Sequence, residues 1–219
     1  SIKLAQEIQK VRKTGLTFAP EAGTQRLRNV INKGVTEENL IDSVRQAFES
    51  GWGTVKLYFM IGLPTETYED LLGIADLAKK VLQQYYAVER EQRNKAVKIT
   101  VSASSFVPKP FTPFQWEPHN TMEELRDKQK YLKNEIKDKK ISYSWHDTKI
   151  SFMEAVFARG DRKLGKVLLK AWQKGCKFDG WDEHFRFNSW LEAFDEVGID
   201  PSFYAHRKRD YDEILPWDF

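Results

Sequence analysis

The clearest pattern along the chain is an apolar run, Val55–Ile61, that lacks strict alternation of hydrophobic and polar residues. Such a run favours a parallel β-strand that is covered on both faces. Gly62 and Pro64 end it, because a proline cannot continue the hydrogen-bonded ladder. Thr67 and Asp70 then have the spacing of a capping box. An apolar stripe with helical periodicity follows: Leu71, Ile74, Leu77, Ala78, Val81, Leu82 and Tyr85.

The same strand, turn and helix pattern occurs elsewhere in the first half of the chain. Gly15–Ala19 predicts a strand, and a turn at Pro20 and Gly23 leaves Glu21 at its end. Lys98–Phe106 predicts a third strand. Helices are predicted at Ser1–Arg12, at 25–32, and after a Thr36 cap with the apolar face Leu40, Val44, Ala47 and Phe48. Alternating strands and helices predict a parallel α/β fold, and its site is expected in the turns at the carboxyl ends of the strands.

The pattern changes after Trp116. Thr121 begins a highly charged helix that is expected to reach about Lys140, and Ile141–Trp145 is compatible with one more strand. Three further helices are predicted at 151–159, 162–173 and 188–197. We therefore expect an α/β domain at 1–116 and a mostly helical extension at 117–219.

Composition narrows the class of protein. The 219 residues carry 35 basic and 32 acidic side chains, and a net charge of +3 gives no overall field that favours nucleic acid. Cys176 is the sole cysteine, so no intramolecular disulfide framework is available. Without an apolar stretch of about 20 residues or a secretory signal, we expect a cytoplasmic protein with no membrane contact. The four histidines are widely spaced, and no metal site is expected: His119, His146, His184 and His206.

Three segments carry a family resemblance: FAPEAGTQRLRNVINKGVT, LYFMIGLPTET and SSFVPKPFTPFQW. In this order and spacing they resemble the second half of a radical S-adenosylmethionine barrel, of the kind found behind cobalamin-binding domains in iron–sulfur oxidoreductases. The later stretch FMEAVFARGDRKLGKVLLKAWQKGCKFDGW is similar to the tail of an uncharacterised branch of that group. The resemblance implies a partial (β/α) barrel, followed by a mostly helical C-terminal region.

One departure from the family is decisive. These enzymes hold a four-iron, four-sulfur cluster through three cysteines in a CxxxCxxC loop, and a chain with only Cys176 cannot form it. We therefore expect this chain to be the C-terminal part of a longer protein, whose first half carries the cluster and completes the barrel. The sequence does not decide whether a cobalamin-binding domain precedes that first half. The missing half is the expected partner, and the isolated chain is expected to self-associate through uncovered strands.

The resemblance also implies roles for individual residues. Glu21 would accept hydrogen bonds from the ribose hydroxyls or the ammonium of S-adenosylmethionine, and Lys33 would pair with its carboxylate. Tyr58 and Gly62 would flank the ribose and methionine, and adenine would lie against Phe106, Val107 and Pro108. No catalytic residue is assigned. The structural alternatives are a helix cap for Glu21, a surface charge for Lys33, core packing for Tyr58 and a plain turn for Phe106–Pro113.

Three hypotheses for function emerge. The first is radical chemistry in the intact protein, in which a 5′-deoxyadenosyl radical abstracts hydrogen from an unknown substrate while this chain positions the cofactor. The second is a phosphate-binding α/β enzyme without iron, which would bind the anion at the Gly62 turn. The third is an interaction module that docks another protein through the aromatic segment Trp172–Trp190.

Overall fold

A computed structural model describes residues 15–218. The helix expected at Ser1–Arg12 lies outside them. The chain divides into two compact units: the first takes in the described residues up to Ser105 together with Leu125–His146, and the second takes in Phe106–Glu124 and the residues from Asp147 onward. Within residues 15–218, no helix has both the length and the apolar character needed to cross a membrane.

The first unit is built on a four-stranded parallel sheet. Its strands are β1 (Leu16–Glu21), β2 (Thr54–Ile61), β3 (Lys98–Ser105) and β4 (Ile141–Trp145), and they lie side by side in chain order. The registers are Leu16 opposite Val55, Val55 opposite Ile99, and Ile99 opposite Ile141. The expected α/β class with a parallel sheet is confirmed, and β2 and β3 lie within one residue of their predicted ends.

Helices connect these strands: α1 (Gln25–Val30), α2 (Glu37–Glu49), α3 (Tyr68–Ala87) and α4 (Met122–Glu135). The predicted caps are present. Thr36 forms a capping box with Asn39, and the Thr67 N–H donates to the Asp70 carboxylate over 2.8 Å. The α4 helix stops at Glu135, five residues before the predicted end.

One face of the sheet packs against the helices. Alternate residues of β2, from Val55 to Ile61, are at most 1% exposed and join the apolar stripes of α2, α3 and α4 in one core. The opposite face carries Lys56, Tyr58, Ser104, Ser142 and Ser144, which are exposed or half-buried. Helices α2, α3 and α4 therefore cover the sheet on one side.

The second unit contains α5 (Thr148–Ala158), α6 (Leu164–Gln173), α7 (Phe187–Val197) and α8 (Pro201–Ala205). The three long helices were predicted to within three residues at each end, whereas α8 was not. Arg159, which is fully buried, donates to the carbonyl oxygens of Tyr204, Ala205 and Arg207 over 2.6 to 2.8 Å. The guanidinium thus satisfies carbonyl groups at the end of α8 that have no helical partner. Burial lowers the pKa of Arg159 to about 10, so it remains charged at neutral pH.

The unit boundaries differ from the single division predicted near residue 116. The chain enters the second unit at Phe106 and returns to the first for Leu125–His146. The reason is β4, which pairs with β3 in parallel and thereby brings α4 into the first unit. Pairing between strands about 40 residues apart leaves no mark on local composition.

Candidate functional site

The candidate site lies where β1 and β2 end. Because the strands are parallel, their carboxyl ends meet at one edge of the sheet. Glu21 is the last residue of β1 and lies opposite Phe59 of β2, three residues before Gly62. The turns that follow these two strands are therefore neighbours, as expected from the sequence.

Glu21 occupies an unusual backbone conformation. Its φ is +67°, and the register between β1 and β2 shifts between Phe18 and Glu21, so that β1 carries one extra residue. Such a bulge re-aims a side chain at a strand end, and a left-handed conformation costs a residue other than glycine about 1 kcal/mol. Strain of this kind is concentrated at functional sites.

The structure pairs two of the predicted site residues with each other. The Lys33 Nζ lies 3.4 Å from the Glu21 Oε1, and the side chains are 32% and 26% exposed. Lys33 follows α1, whereas Glu21 precedes it. The pair is accessible to solvent and has a long separation, so neither charge is tightly held by the other.

Glu66 fixes the turn after β2. Gly62 has a φ of +83°, and its N–H donates to the Glu66 Oε1 over 2.9 Å. The Glu66 side chain is 1% exposed and forms an ion pair with Lys128 of α4 at 2.7 Å. Burial raises the pKa of Glu66, although the positive charge of Lys128 and the hydrogen bonds from Lys128, Gly62 and Leu63 oppose the increase.

Tyr143 of β4 belongs to the same electrostatic environment. Its hydroxyl is buried and has no hydrogen-bond partner among the described residues. Burial raises the pKa of Tyr143, and the negative charge of Glu66 raises it further. The phenol therefore stays neutral at physiological pH.

Asp70 joins the turns after β1 and β2. Its carboxylate, in a residue that is 2% exposed, accepts hydrogen bonds from Thr24, Arg26 and Thr67. Burial alone would raise the pKa of Asp70, but the bonds from Arg26, Thr24 and Thr67 outweigh it and the pKa is lowered. A Cβ on Gly23 would lie 2.3 Å from the Asp70 carbonyl oxygen, so this contact requires glycine.

A second strained residue lies in the turn after β2. Thr65 has a φ of +64°, which is rare for a β-branched residue. The Arg26 guanidinium donates to the Thr65 carbonyl oxygen over 2.9 Å and also binds Asp70. Arg26, which lies in the helix after β1, thus links the turn after β1 to the strained turn after β2.

The remaining predicted residues lie on β2 and directly after β3. Tyr58 lies on the uncovered face of β2, is 39% exposed, and accepts a hydrogen bond from Lys56 over 2.8 Å. Phe106, Val107 and Pro108 directly follow β3 and belong to the second unit. There Phe106 is 9% exposed and packs edge-to-face against Phe114, while Val107 packs against the core of that unit.

Within residues 15–218, no three histidine, cysteine, aspartate or glutamate side chains are grouped to hold a metal ion. Cys176 is buried in the core of the second unit, and burial raises the pKa of its thiol. His119 and His206 stack with their ring centres 6.0 Å apart, although they are 87 residues apart in sequence. Burial lowers the pKa of His119 to about 4, so its ring is neutral at physiological pH.

Sequence reasoning missed the residues that hold the two turns. The capping-box spacing of Thr67 and Asp70 is a correct local signal, but nothing in the local sequence indicates the contacts of Glu66. Arg26 and Lys128 carried no such signal. Their partners lie 44 and 62 residues away, and only the sheet topology brings them together.

No protein-family model matches the chain. Among curated proteins, the chain is similar to the uncharacterized protein MJ0966 of Methanocaldococcus jannaschii, with 35% identity over 184 residues. The similarity covers 84% of this chain and 38% of that protein. The chain therefore spans well under half the length of this relative.

Proposed function

We propose that this chain forms the C-terminal half of a radical S-adenosylmethionine barrel and positions that cofactor at the carboxyl edge of β1 and β2. The Glu21–Lys33 pair is the observation that carries the proposal. The methionine end of S-adenosylmethionine bears an ammonium and a carboxylate, and this accessible pair offers the opposite charges. At 3.4 Å and with partial exposure, exchanging partners costs little.

The strand order supports the barrel. Doubly wound sheets reverse their strand order and carry helices on both faces. Here four parallel strands follow chain order, and helices α2, α3 and α4 pack on one face. In a barrel the other face is covered by the remaining strands, since all-parallel sheets are normally buried on both sides.

The residues differ in how well they fit the two cofactors. Glu21 and Lys33 suit the charges of S-adenosylmethionine, and the Gly62 turn allows a ligand to approach the backbone. When bound, that cofactor would supply a radical able to abstract hydrogen from the substrate. The iron–sulfur cluster does not fit this chain, because Cys176 is its sole cysteine and is buried in the second unit. We assign the cluster and any cobalamin to residues outside the chain.

The experiment uses the longer protein that contains this chain. After anaerobic reconstitution with iron and sulfide, reduction should release 5′-deoxyadenosine from S-adenosylmethionine. Glu21→Ala and Lys33→Ala should each raise the KM for S-adenosylmethionine about tenfold or more, because each removes one charge-assisted contact. Lys33→Arg should restore much of the loss.

The matched control is Glu154→Gln, which removes one charge from an exposed ion pair with Lys109 in the second unit. It should leave the KM unchanged. Absence of S-adenosylmethionine cleavage in the reconstituted protein would refute the proposal. Equal effects of Glu154→Gln and Glu21→Ala would refute the assigned site.

The phosphate-binding alternative has less support. The Gly62 N–H and the Thr67 N–H are the donors that an anion would need at this turn, and both already bind carboxylates of Glu66 and Asp70. A bound phosphate would have to displace a buried carboxylate. Carboxylates already at a helix start disfavour a second anion.

Protein docking is a second candidate function, favoured by one observation. An apolar patch on α6 and the loop after it is exposed by 48% to 73%: Leu168, Leu169, Trp172, Phe178 and Trp181. Large exposed aromatics are typical of interaction surfaces. Leu169→Lys with Trp172→Gln should weaken the association measured by sedimentation, and association unchanged in this variant, as pairing of the β1 and β4 edges would leave it, would exclude this patch.

A further inference from the structure

The edge of the sheet opposite the candidate site contains a cavity of about 560 Å³ in the first unit. Its lining comes from the end of α3, the loop before β3 and the residue before β4: Tyr85, Tyr86, Arg90, Arg93, Asn94, Lys95 and Lys140. The eight residues of β3 separate the two edges by roughly 23 Å. The cavity is thus distinct from the cluster around Glu21, and ligand binding in it would be independent of the proposed function.

The charge of the lining is uniformly positive. Four cationic side chains and no carboxylate line the cavity. Arg93 has a structural task, since it donates to the carbonyl oxygens of Tyr85 and Tyr86 at the end of α3 over 3.4 and 3.2 Å. It thereby offsets the negative end of the helix dipole, which would otherwise repel an anion. Among the described residues, Arg90, Lys95 and Lys140 show no ion pair with a carboxylate, and all three are exposed.

The walls of the cavity are held in place. The Tyr85 hydroxyl donates to the Asn94 carbonyl oxygen over 2.5 Å, and the Asn94 side chain donates to the Gly51 carbonyl oxygen over 3.2 Å. A Cβ on Gly53 would lie 2.3 Å from the Ala96 carbonyl oxygen, so the loop is pressed against the start of β2. Tyr86 is 50% exposed, which leaves part of its ring available to a ligand.

We propose that this cavity binds a phosphorylated small molecule that carries a planar ring, of the class of nucleoside monophosphates. Arg90, Lys95 and Lys140 bind the phosphate, and the ring packs against Tyr86 beside the Arg93 guanidinium. The volume lies within the usual range for small-molecule sites, about 300 to 1,000 Å³. A phosphate suits three exposed cations better than a single carboxylate does, because it presents more acceptor oxygens and more charge.

The test is calorimetric titration of the chain with adenosine 5′-monophosphate, ribose 5-phosphate and adenosine. Adenosine 5′-monophosphate should bind more tightly than the other two compounds, because ribose 5-phosphate lacks the planar ring and adenosine lacks the phosphate. Arg90→Gln, Lys95→Gln and Lys140→Gln should each weaken its binding up to about fivefold. Tyr86→Leu should weaken binding of the monophosphate but not of ribose 5-phosphate.

Lys166→Gln is the matched control, because it removes one exposed charge from α6 in the second unit. It should not change the affinity. The proposal is overturned if Lys166→Gln and Lys140→Gln have equal effects, if adenosine binds as well as its monophosphate, or if nothing binds at about 10 mM ligand. Loss of binding in Glu21→Ala but not in Lys140→Gln would place the ligand at the other edge and overturn it too. Much tighter, strongly salt-dependent binding of an adenylate decamer would indicate a nucleic-acid surface instead.

Discussion

Replacing Lys128 with methionine tests how the turn after β2 is stabilised. The change keeps most of the apolar stem but removes the charge 2.7 Å from the Glu66 carboxylate, which is 1% exposed. At an effective dielectric constant of about 20, this separation corresponds to a gross attraction of about 6 kcal/mol. Desolvation of both groups offsets part of it, and leaving one buried charge unpaired typically costs about 3–5 kcal/mol.

The stability lost in Lys128→Met should increase as the pH rises. Burial already raises the pKa of Glu66 above its ordinary 4.5, so the folded protein loses stability as pH rises from that value through the raised pKa. Without Lys128 the pKa of Glu66 rises further. The pH range over which the folded protein loses stability therefore becomes wider. Each additional pKa unit corresponds to about 1.4 kcal/mol at pH values above it. The destabilisation by Lys128→Met should therefore be small near pH 4 and several kcal/mol at pH 8.

Denaturant unfolding of the two proteins between pH 4 and 8 measures this difference. Hydrogen exchange of peptides that contain Gly62 reports the same turn locally, which matters because the chain has two units and global unfolding need not be two-state. Adding Glu66→Gln to Lys128→Met should recover most of the stability at pH 8, because the unpaired buried charge at position 66 is then absent.

The control is Lys79→Met, which breaks an ion pair with Asp76 in which both side chains are about half exposed. It should cost at most about 0.5 kcal/mol and show little pH dependence. A destabilisation by Lys128→Met that is constant from pH 4 to 8, or no larger than that of Lys79→Met, would refute the reasoning.

Three other outcomes are expected from the packing, each measurable by denaturant unfolding or sedimentation. Gly23→Ala should destabilise the chain by about 3 kcal/mol, because its Cβ would lie 2.3 Å from backbone atoms of α3, whereas Gly34→Ala, with open space around it, should be nearly neutral. Thr65→Gly should be more stable than Thr65→Ala by about 1 kcal/mol, since φ is +64° there, and equal stability would argue against strain. The isolated chain should associate as concentration rises, because β1 and β4 each pair on one side among the described strands, and a monomer at every concentration would contradict this.

The sequence alone predicts only some of the residues of the candidate site. The resemblance predicts Glu21, Gly62 and Lys33 as site residues, and the parallel strands place the first two at one edge. The ion pair between Glu21 and Lys33 was not foreseen, because each had been assigned a ligand group. Whether Tyr58 and Phe106–Pro108 contact a cofactor remains a prediction.

Local rules were enough for the elements themselves. The capping residues Thr36 and Thr67 begin helices where predicted, and the apolar stripe of α3 is buried throughout, because caps and periodicity act over a few residues along the chain. The order of strands and helices likewise determined a parallel α/β class.

Tertiary structure alone decided what holds the two turns together. The Lys128–Glu66 and Arg26–Asp70 pairs join residues 62 and 44 positions apart, and β4 joins the sheet across a boundary that composition had suggested. Glu21 and Thr65 also adopt left-handed conformations, against the preference of both residues. The sequence shows the local conformational preference of each residue, whereas the tertiary fold determines which residues distant along the chain come into contact.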